Sequence, residues 1–375
     1  MMTDNTMKKI CVVTASRSEY GLLKWLMKEI DNSADFELQL LVTGAHLLEE
    51  QGHTIDNIRD DGFEINEIID VRIDTTSTEE IAYSMGLMAQ EFSHVLGRLK
   101  PDYLTVLGDR YELLPIVNTA FVMNIPIIHL SGGDVTEGAI DDGIRNAVTM
   151  LAEYHFPGTK DSADNIIRMR GSAKNVWFVG EPGLDSFYRE SLMSREELAS
   201  NLGLDLDSKW ILFTFHAETK ESIDYNLITV KNCISSLLHI DGAQTVATYS
   251  NADFGGKLIN EYLDKIAKTT PDKIKVIPSL GNRRYLSYMK QVRFIIGNSS
   301  SGITEAPTLG VPVINIGDRQ KGRHFCENVI QTKSDTTSIE ESINKAMNAS
   351  HLNNDYYWGD GHTAERIIDI LTKEL

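Results

Sequence analysis

Short apolar runs with the length of buried strands recur along the chain, and between most of them lies a segment whose apolar residues return at helical spacing. The first run, 8–15, turns at Ser16 into an amphipathic stretch over 22–30, the opening of a doubly wound domain. Runs at 36–43, 102–107, 125–130 and 176–179 continue the series, with 78–99 as a long helix among them. A capping box, Ser194-Arg195-Glu196-Glu197, then opens a linker helix. A second series follows at 210–215, 243–248, 273–278, 292–296 and 311–316. Strands alternating with helices in two successive sets predict an α/β protein of two Rossmann-like domains facing across a cleft. The expected domains are 1–185 and 186–375, with the closing amphipathic helix, 363–375, packing back on the first domain or bridging both.

In open parallel sheets, ligands bind beyond the carboxyl ends of the strands, so the residues just after each run carry the chemistry. After the run at 292–296 comes Gly297-Asn298-Ser299-Ser300-Ser301-Gly302, a small-residue turn into a short helix. Serine hydroxyls and free amides at a helix start donate toward negative charge, which suits a phosphate or diphosphate. Serines also simply cap helices, and both readings stand. Glu305, one turn in, can accept from ribose hydroxyls. The next strand ends in Asp318-Arg319-Gln320-Lys321-Gly322-Arg323, which brings three cations toward the same crevice.

The first series has its own candidates. Arg17 follows the first run, His46 the second, and Asp109 and Arg110 follow 102–107. Asp109 either meets a ligand or caps the helix that Tyr111 begins. The loop from Ser131 to Asp142 is marked by glycines and carries Asp134, Glu137, Asp141 and Asp142. Acids crowded into a crevice can have their pKa values driven apart, as general acid/base pairs require, whereas acidic loops in general are solvated. Arg145 is an ion-pair partner within reach. His216 repeats the position of Asp109 at the end of the run 210–215, and Asn251 follows 243–248.

Composition narrows the classes. At 375 residues with 42% hydrophobic content the chain is long enough for two cores, and a net charge of −18 argues against nucleic-acid binding. Cys11, Cys233 and Cys326 lie far apart and form neither a disulfide framework nor a metal-ligand spacing. With no cationic and apolar leader and no run long enough to span a bilayer, the chain reads as cytoplasmic and without membrane association. Nicotinamide, P-loop and zinc-protease motifs are absent, so no cofactor or metal is expected.

The segments TASRSEYG, TGAHL, LGDRYE, HLSGGDVTEGAIDD, GEPGLD and above all the spaced pattern over 297–323 resemble the hydrolysing UDP-N-acetylglucosamine 2-epimerases of bacterial sialic acid synthesis, across nearly the whole chain. The resemblance implies a glycosyltransferase-B-type fold and conversion of UDP-GlcNAc into free N-acetylmannosamine and UDP. A similar branch acts on UDP-N,N′-diacetylbacillosamine and feeds legionaminic-type acids. The implied reaction is an anti elimination of UDP followed by hydration of the glycal with inversion at C2. By motif match, Asp109 and Asp141 transfer protons, with Asp142 as a neighbour and Asp134 and Glu137 as further acids. His216 assists the leaving diphosphate, Ser299 and Ser300 bind it, Glu305 holds the ribose, and Arg17 pairs with phosphate. His46, Arg110, Arg145, Asn251, Ser301, Gly302, Arg319 and Arg323 complete the expected substrate-binding set, and the resemblance implies a homodimer or homotetramer.

The chain departs from the family pattern in three places. Ser131 stands where many relatives carry a carboxylate, which leaves Asp134, Glu137 or the two other acids to serve; Asn146 replaces a histidine after Arg145; and FHAET replaces HPVT. Two other classes share the features seen. A glycosyltransferase of the same fold need not place two carboxylates about C2, and a non-catalytic nucleotide-sugar binder would tolerate loss of Asp109, Asp141 or His216.

Overall fold

The computed structural model describes residues 7–49, 53–137, 139–251, 253–350 and 352–375. Gly138 of the acidic loop, Ala252 beside Asn251 and the end of TGAHLLEEQG from Glu50 lie outside the described residues. Six strands, β1 (Lys8–Thr14), β2 (Phe36–Thr43), β3 (Glu67–Ile69), β4 (Tyr103–Leu107), β5 (Ile127–Leu130) and β6 (Tyr154–Phe156), form a parallel sheet in the order β3-β2-β1-β4-β5-β6. Alternation along β1 explains why it is central. Ile10 and Val12 enter one apolar layer with Leu23, Leu26 and Leu40, while Cys11 and Val13 enter another with Phe92, Leu104 and Ile116. A strand apolar on both faces has to be covered by helices on both.

A second parallel sheet comprises β7 (Lys209–Thr214), β8 (Ala243–Thr248), β9 (Ile274–Ile277), β10 (Phe294–Gly297), β11 (Val313–Ile316) and β12 (Val329–Thr332), ordered β12-β11-β10-β7-β8-β9. Both sheets are wound alike, with the first strand in the middle and the direction of winding reversing beside it. The reversal falls between β1 and β4 in one sheet and between β7 and β10 in the other. Such switch points leave a crevice at the carboxyl ends of the two strands. At the second one the backbones are tightly apposed: Gly297 pairs with Thr214 and has φ of +145°, and a Cβ there would lie 1.9 Å from the Thr214 carbonyl oxygen. Only glycine fits.

Packing groups the chain into two units, one running to Asp134 and including Asp141–Tyr188 and Trp358–Leu375, the other formed by Val135–Ile140 and Arg189–Tyr357. Part of the acidic loop, Glu137 included, thus packs with the second sheet's unit. The closing helix Thr363–Glu374 packs with the first: both carboxylate oxygens of Asp185 accept from its first amides, Thr363 and Ala364, at 2.8 Å. The aspartate of GEPGLD is therefore a helix anchor. The strand expected at 176–179 does not form. Val176 makes only an isolated bridge to His155, because the chain turns into the short 3-10 helix Pro182–Leu184.

Three imidazoles, His46, His129 and His155, are fully buried in the first unit. Burial lowers their pKa values to about 3, about 4 and about 3. The folded unit keeps them neutral where an unfolded chain, with its histidines near 6.5, would protonate them. Stability is therefore lost as pH falls below 6.5, by up to about 1.4 kcal/mol per pH unit for each imidazole. Glu19 acts in the opposite sense: burial, aided by Glu112, raises its carboxyl to about 7, so between about pH 4.5 and 7 the folded form holds a proton that the unfolded form has lost. Glu218, raised to about 7 by burial, acts in the same sense as Glu19. Two carboxyls thus oppose three imidazoles, and the imidazoles prevail only well below about pH 5.5, where all three continue to drive proton uptake by the unfolded chain. Urea titrations should give a lower unfolding midpoint at about pH 4.5 than at about pH 7.5, and an equal or higher midpoint at the lower pH would mean that these imidazoles are not held neutral.

Candidate functional site

At the first switch point the chain leaves β1 through Ser16, which caps the helix Arg17–Asp31 in a reciprocal box with Glu19. Glu19 Oε2 accepts the amides of Ala15 and Ser16 at 2.8 and 3.0 Å, which fixes the turn that bears Arg17. Beyond β4, Asp109 does not cap the next helix, Leu113–Val122, whose N-cap is Glu112 without a side-chain bond. Asp109 Oδ2 instead takes a nitrogen of Arg145. Arg145 lies in the helix Asp141–Leu151 and is fully buried. Its other terminal nitrogen donates to the Asp134 carbonyl at 2.9 Å and lies 3.7 Å from Asp142 Oδ1. One guanidinium thus brings Asp109, Asp134 and Asp142 together, and Asp141 opens the same helix. A buried cation beside a carboxylate favours its ionised, proton-accepting form. The Asp134 carboxylate itself is drawn away, accepting from Ser162 Oγ at 2.5 Å.

Several expected residues lie elsewhere. His46 is interior, its ring nitrogens 2.9 and 2.8 Å from the hydroxyls of Thr14 and Thr54. Arg110 donates to Glu112 at 3.1 Å and sits over the ring of Tyr111. Glu137 belongs to the second unit, exposed and 3.2 Å from Lys321 Nζ, so the solvated reading of an acidic loop suits it. Ser131, in the left-handed region with φ of 55°, donates from Oγ to Glu181 Oε2 at 2.8 Å. A buried carboxylate from GEPGLD therefore meets the position where a carboxylate is missing from the sequence.

At the second switch point, His216 follows β7 and Asn298 follows β10. Asn298 Oδ1 accepts the His216 amide at 2.8 Å, and Asn298 Nδ2 donates to the His216 carbonyl at 2.8 Å. The imidazole Nδ1 accepts the Asn251 amide at 3.1 Å, so in the neutral ring the proton resides on Nε2. Arg319 and Gln320 donate to the Asn298 carbonyl at 3.2 and 2.9 Å, and Arg323 donates to Gln320 at 3.0 Å. The serine turn follows directly. Ser299 is the N-cap of the helix Ser300–Thr304 but makes no side-chain capping bond, so the capping reading of that hydroxyl is not what forms. Ser299 and Ser301 hydroxyls lie 3.1 Å apart, Ser301 also meets the Tyr285 hydroxyl at 2.5 Å, and Ser300 is exposed. Gly302 packs against β11, where a Cβ would lie 3.0 Å from Val313, and Glu305 ends the turn, buried.

The second unit thus joins His216, Asn251, Ser299, Ser301, Arg319 and Arg323 through Asn298 and Gln320, which sequence reasoning did not single out. Both lay inside quoted motifs, and the available signal was a polar residue flanked by a buried run. Chemically, one set offers carboxylates about a fixed cation, and the other offers hydroxyls, cations and an imidazole N–H suited to an anion. Among the described residues no cluster of three or more histidine, cysteine or acidic side chains is arranged to hold a metal, and no helix is long and apolar enough to cross a membrane.

Comparison with known proteins identifies the family and the fold. The family model for UDP-N-acetylglucosamine 2-epimerase matches residues 28–372. The chain is 35% identical to the GDP/UDP-N,N′-diacetylbacillosamine 2-epimerase (hydrolyzing) of Campylobacter jejuni, over 90% of this chain and 87% of that one. It is 32% identical to the UDP-N,N′-diacetylbacillosamine 2-epimerase (hydrolyzing) of Legionella pneumophila, over 97% and 95%. Its fold matches the crystal structure of the Neisseria meningitidis UDP-GlcNAc 2-epimerase bound to UDP-GlcNAc with a TM-score of 0.80 at 19% identity, over 98% of this chain and 100% of that one. The two doubly wound sheets are the glycosyltransferase-B-type arrangement, and the chain belongs to the hydrolysing UDP-N-acetylglucosamine 2-epimerase family.

Proposed function

We propose that the protein is a hydrolysing 2-epimerase of UDP-N,N′-diacetylbacillosamine, which it converts with water into UDP and the free sugar inverted at C2. UDP-GlcNAc, giving N-acetylmannosamine for sialic acid synthesis, is the second reading. The substrate order rests on the relatives at 35% and 32% identity, both named for the diacetylated sugar. The reaction rests chiefly on one observation, the carboxylates of Asp109 and Asp142 held about buried Arg145 at the end of β4.

In this reading a carboxylate of the Asp109 and Asp141 pair removes the C2 proton, and the electron pair forms the C1–C2 double bond as the C1–O bond to UDP breaks. His216 Nε2–H donates toward the departing diphosphate, its tautomer set by the Asn251 amide. The hydroxyls of Ser299 and Ser300 bind that diphosphate, Glu305 takes the ribose, and Arg17, Arg319 and Arg323 supply positive charge. The second carboxylate then delivers its proton to the opposite face of C2 while water adds its oxygen at C1 and gives up a proton that restores that carboxylic acid. Ionisation of Asp109 beside Arg145 suits it to accept a proton, and a neutral partner would supply one.

Incubation with each UDP-sugar in deuterated water tests the reading directly. The expected products are UDP and a free 2-epimerised sugar deuterated at C2, formed faster from the diacetylated donor. Release of UDP without deuterium at C2 would mark a hydrolase or a transferase lacking its acceptor, and faster turnover of UDP-GlcNAc would reverse the substrate order. Arg145→Met tests the carboxylate cluster separately. Leaving Asp109 and Asp142 without their buried cation should cost about 3 kcal/mol in urea unfolding and abolish C2 exchange, while calorimetric UDP affinity changes little; C2 exchange at the parent rate would remove the cluster from the mechanism.

A further inference from the structure

We infer that Glu218 is a positioning residue that fastens loop 318–323 to the turn after β7 and thereby sets how Arg319 and Gln320 meet Asn298. Glu218 stands two residues beyond His216 and is buried, only 2% exposed. Its backbone is locked by Asn226, whose Oδ1 accepts the Glu218 amide at 2.8 Å and whose Nδ2 donates to the Glu218 carbonyl at 3.2 Å. The side chain crosses to the end of β11, where Oε2 accepts the Asp318 amide at 3.3 Å. Contact is possible because residue 317 has no side chain: Gly317 has φ of +72°, and a Cβ there would lie 2.1 Å from Glu218 Oε1.

Simple packing would not call for this residue. Glu218 Oε1 makes no hydrogen bond, and burying a carboxylate oxygen in that state is unfavourable, as shown by the rise of this carboxyl to about 7 through burial. A valine, as in the HPVT pattern, would fill the space without that penalty. What the carboxylate adds is an acceptor for the first amide of the loop. From Asp318 the chain leads at once to Arg319 and Gln320, both donating to the Asn298 carbonyl, and Asn298 brackets His216. The ring of contacts is closed: turn after β7, Glu218, loop 318–323, Asn298 and back to His216.

The test compares Glu218→Ala with Glu218→Gln, which keeps an acceptor oxygen for Asp318, by amide hydrogen exchange and by calorimetric titration with UDP. The UDP arm rests on the reading of the second unit as a nucleotide site, whereas the exchange arm does not. Glu218→Ala should speed exchange of amides 318–323 and weaken UDP binding, each about tenfold, and Glu218→Gln should restore both to within about threefold of the parent. Parent-like exchange in the alanine variant, or acceleration spread equally over β7, β10 and β11, would overturn the inference, the second outcome indicating a general loss of stability. Failure of the parent protein to bind UDP would overturn the nucleotide reading instead, and the exchange comparison would still decide whether Glu218 fastens the loop.

Discussion

Two hydrogen bonds from one amide side chain hold the second unit's site in place. The ladder between β7 and β10 ends at the Thr214–Gly297 pair, and beyond it the backbone groups of His216 are buried with no further strand to pair with. Buried backbone groups must find partners. Asn298 supplies both an acceptor and a donor, so its side chain acts as one more rung of the ladder. The imidazole therefore inherits the positional accuracy of a sheet although it lies past the sheet's end. The Asn298 carbonyl then collects Arg319 and Gln320 and draws a third loop to the same point.

The first unit solves the corresponding problem with charge. Arg145 is fully buried, and a desolvated guanidinium is tolerated only when its nitrogens are matched by oxygens of suitable geometry. Asp109, the Asp134 carbonyl and Asp142 provide them from the end of β4, the loop after β5 and the start of one helix. Because the cation sits on the helix and Asp109 at the end of β4, their ion pair ties the helix to the sheet. An amide rung needs no charge and tolerates a nearby anion. A caged guanidinium gathers carboxylates that would otherwise repel one another.

Much of this was legible in the sequence because parallel sheets write their topology in apolar runs, and a switch point puts chemistry at the residue after the run. Asp109, His216 and the serine turn were found that way. His46 follows the same rule and yet is interior, since two threonine hydroxyls distant in sequence take both its nitrogens. Glu137 lies close to Asp134 and Asp141 in sequence but packs with the other unit. Asn298, Gln320 and Glu218 escaped notice for a shared reason: each works through backbone groups of another loop, and backbone partners leave no mark on residue type. The expected strand at 176–179 failed although the run is apolar: Val176 and Trp177 are half-buried and Phe178 is exposed, so the segment lies along the sheet's edge and makes a single bridge to His155.

Ser131 illustrates how far a motif departure reaches. Replacing a carboxylate with serine suggests that an acid has been lost from the site, yet the serine hydroxyl donates to Glu181, fifty residues further along the chain. The Glu181 amide bonds to Trp358 and its carbonyl to Thr363, so the carboxylate is carried on a segment tied to the closing helix. A carboxylate thus remains at this corner, carried by a different element.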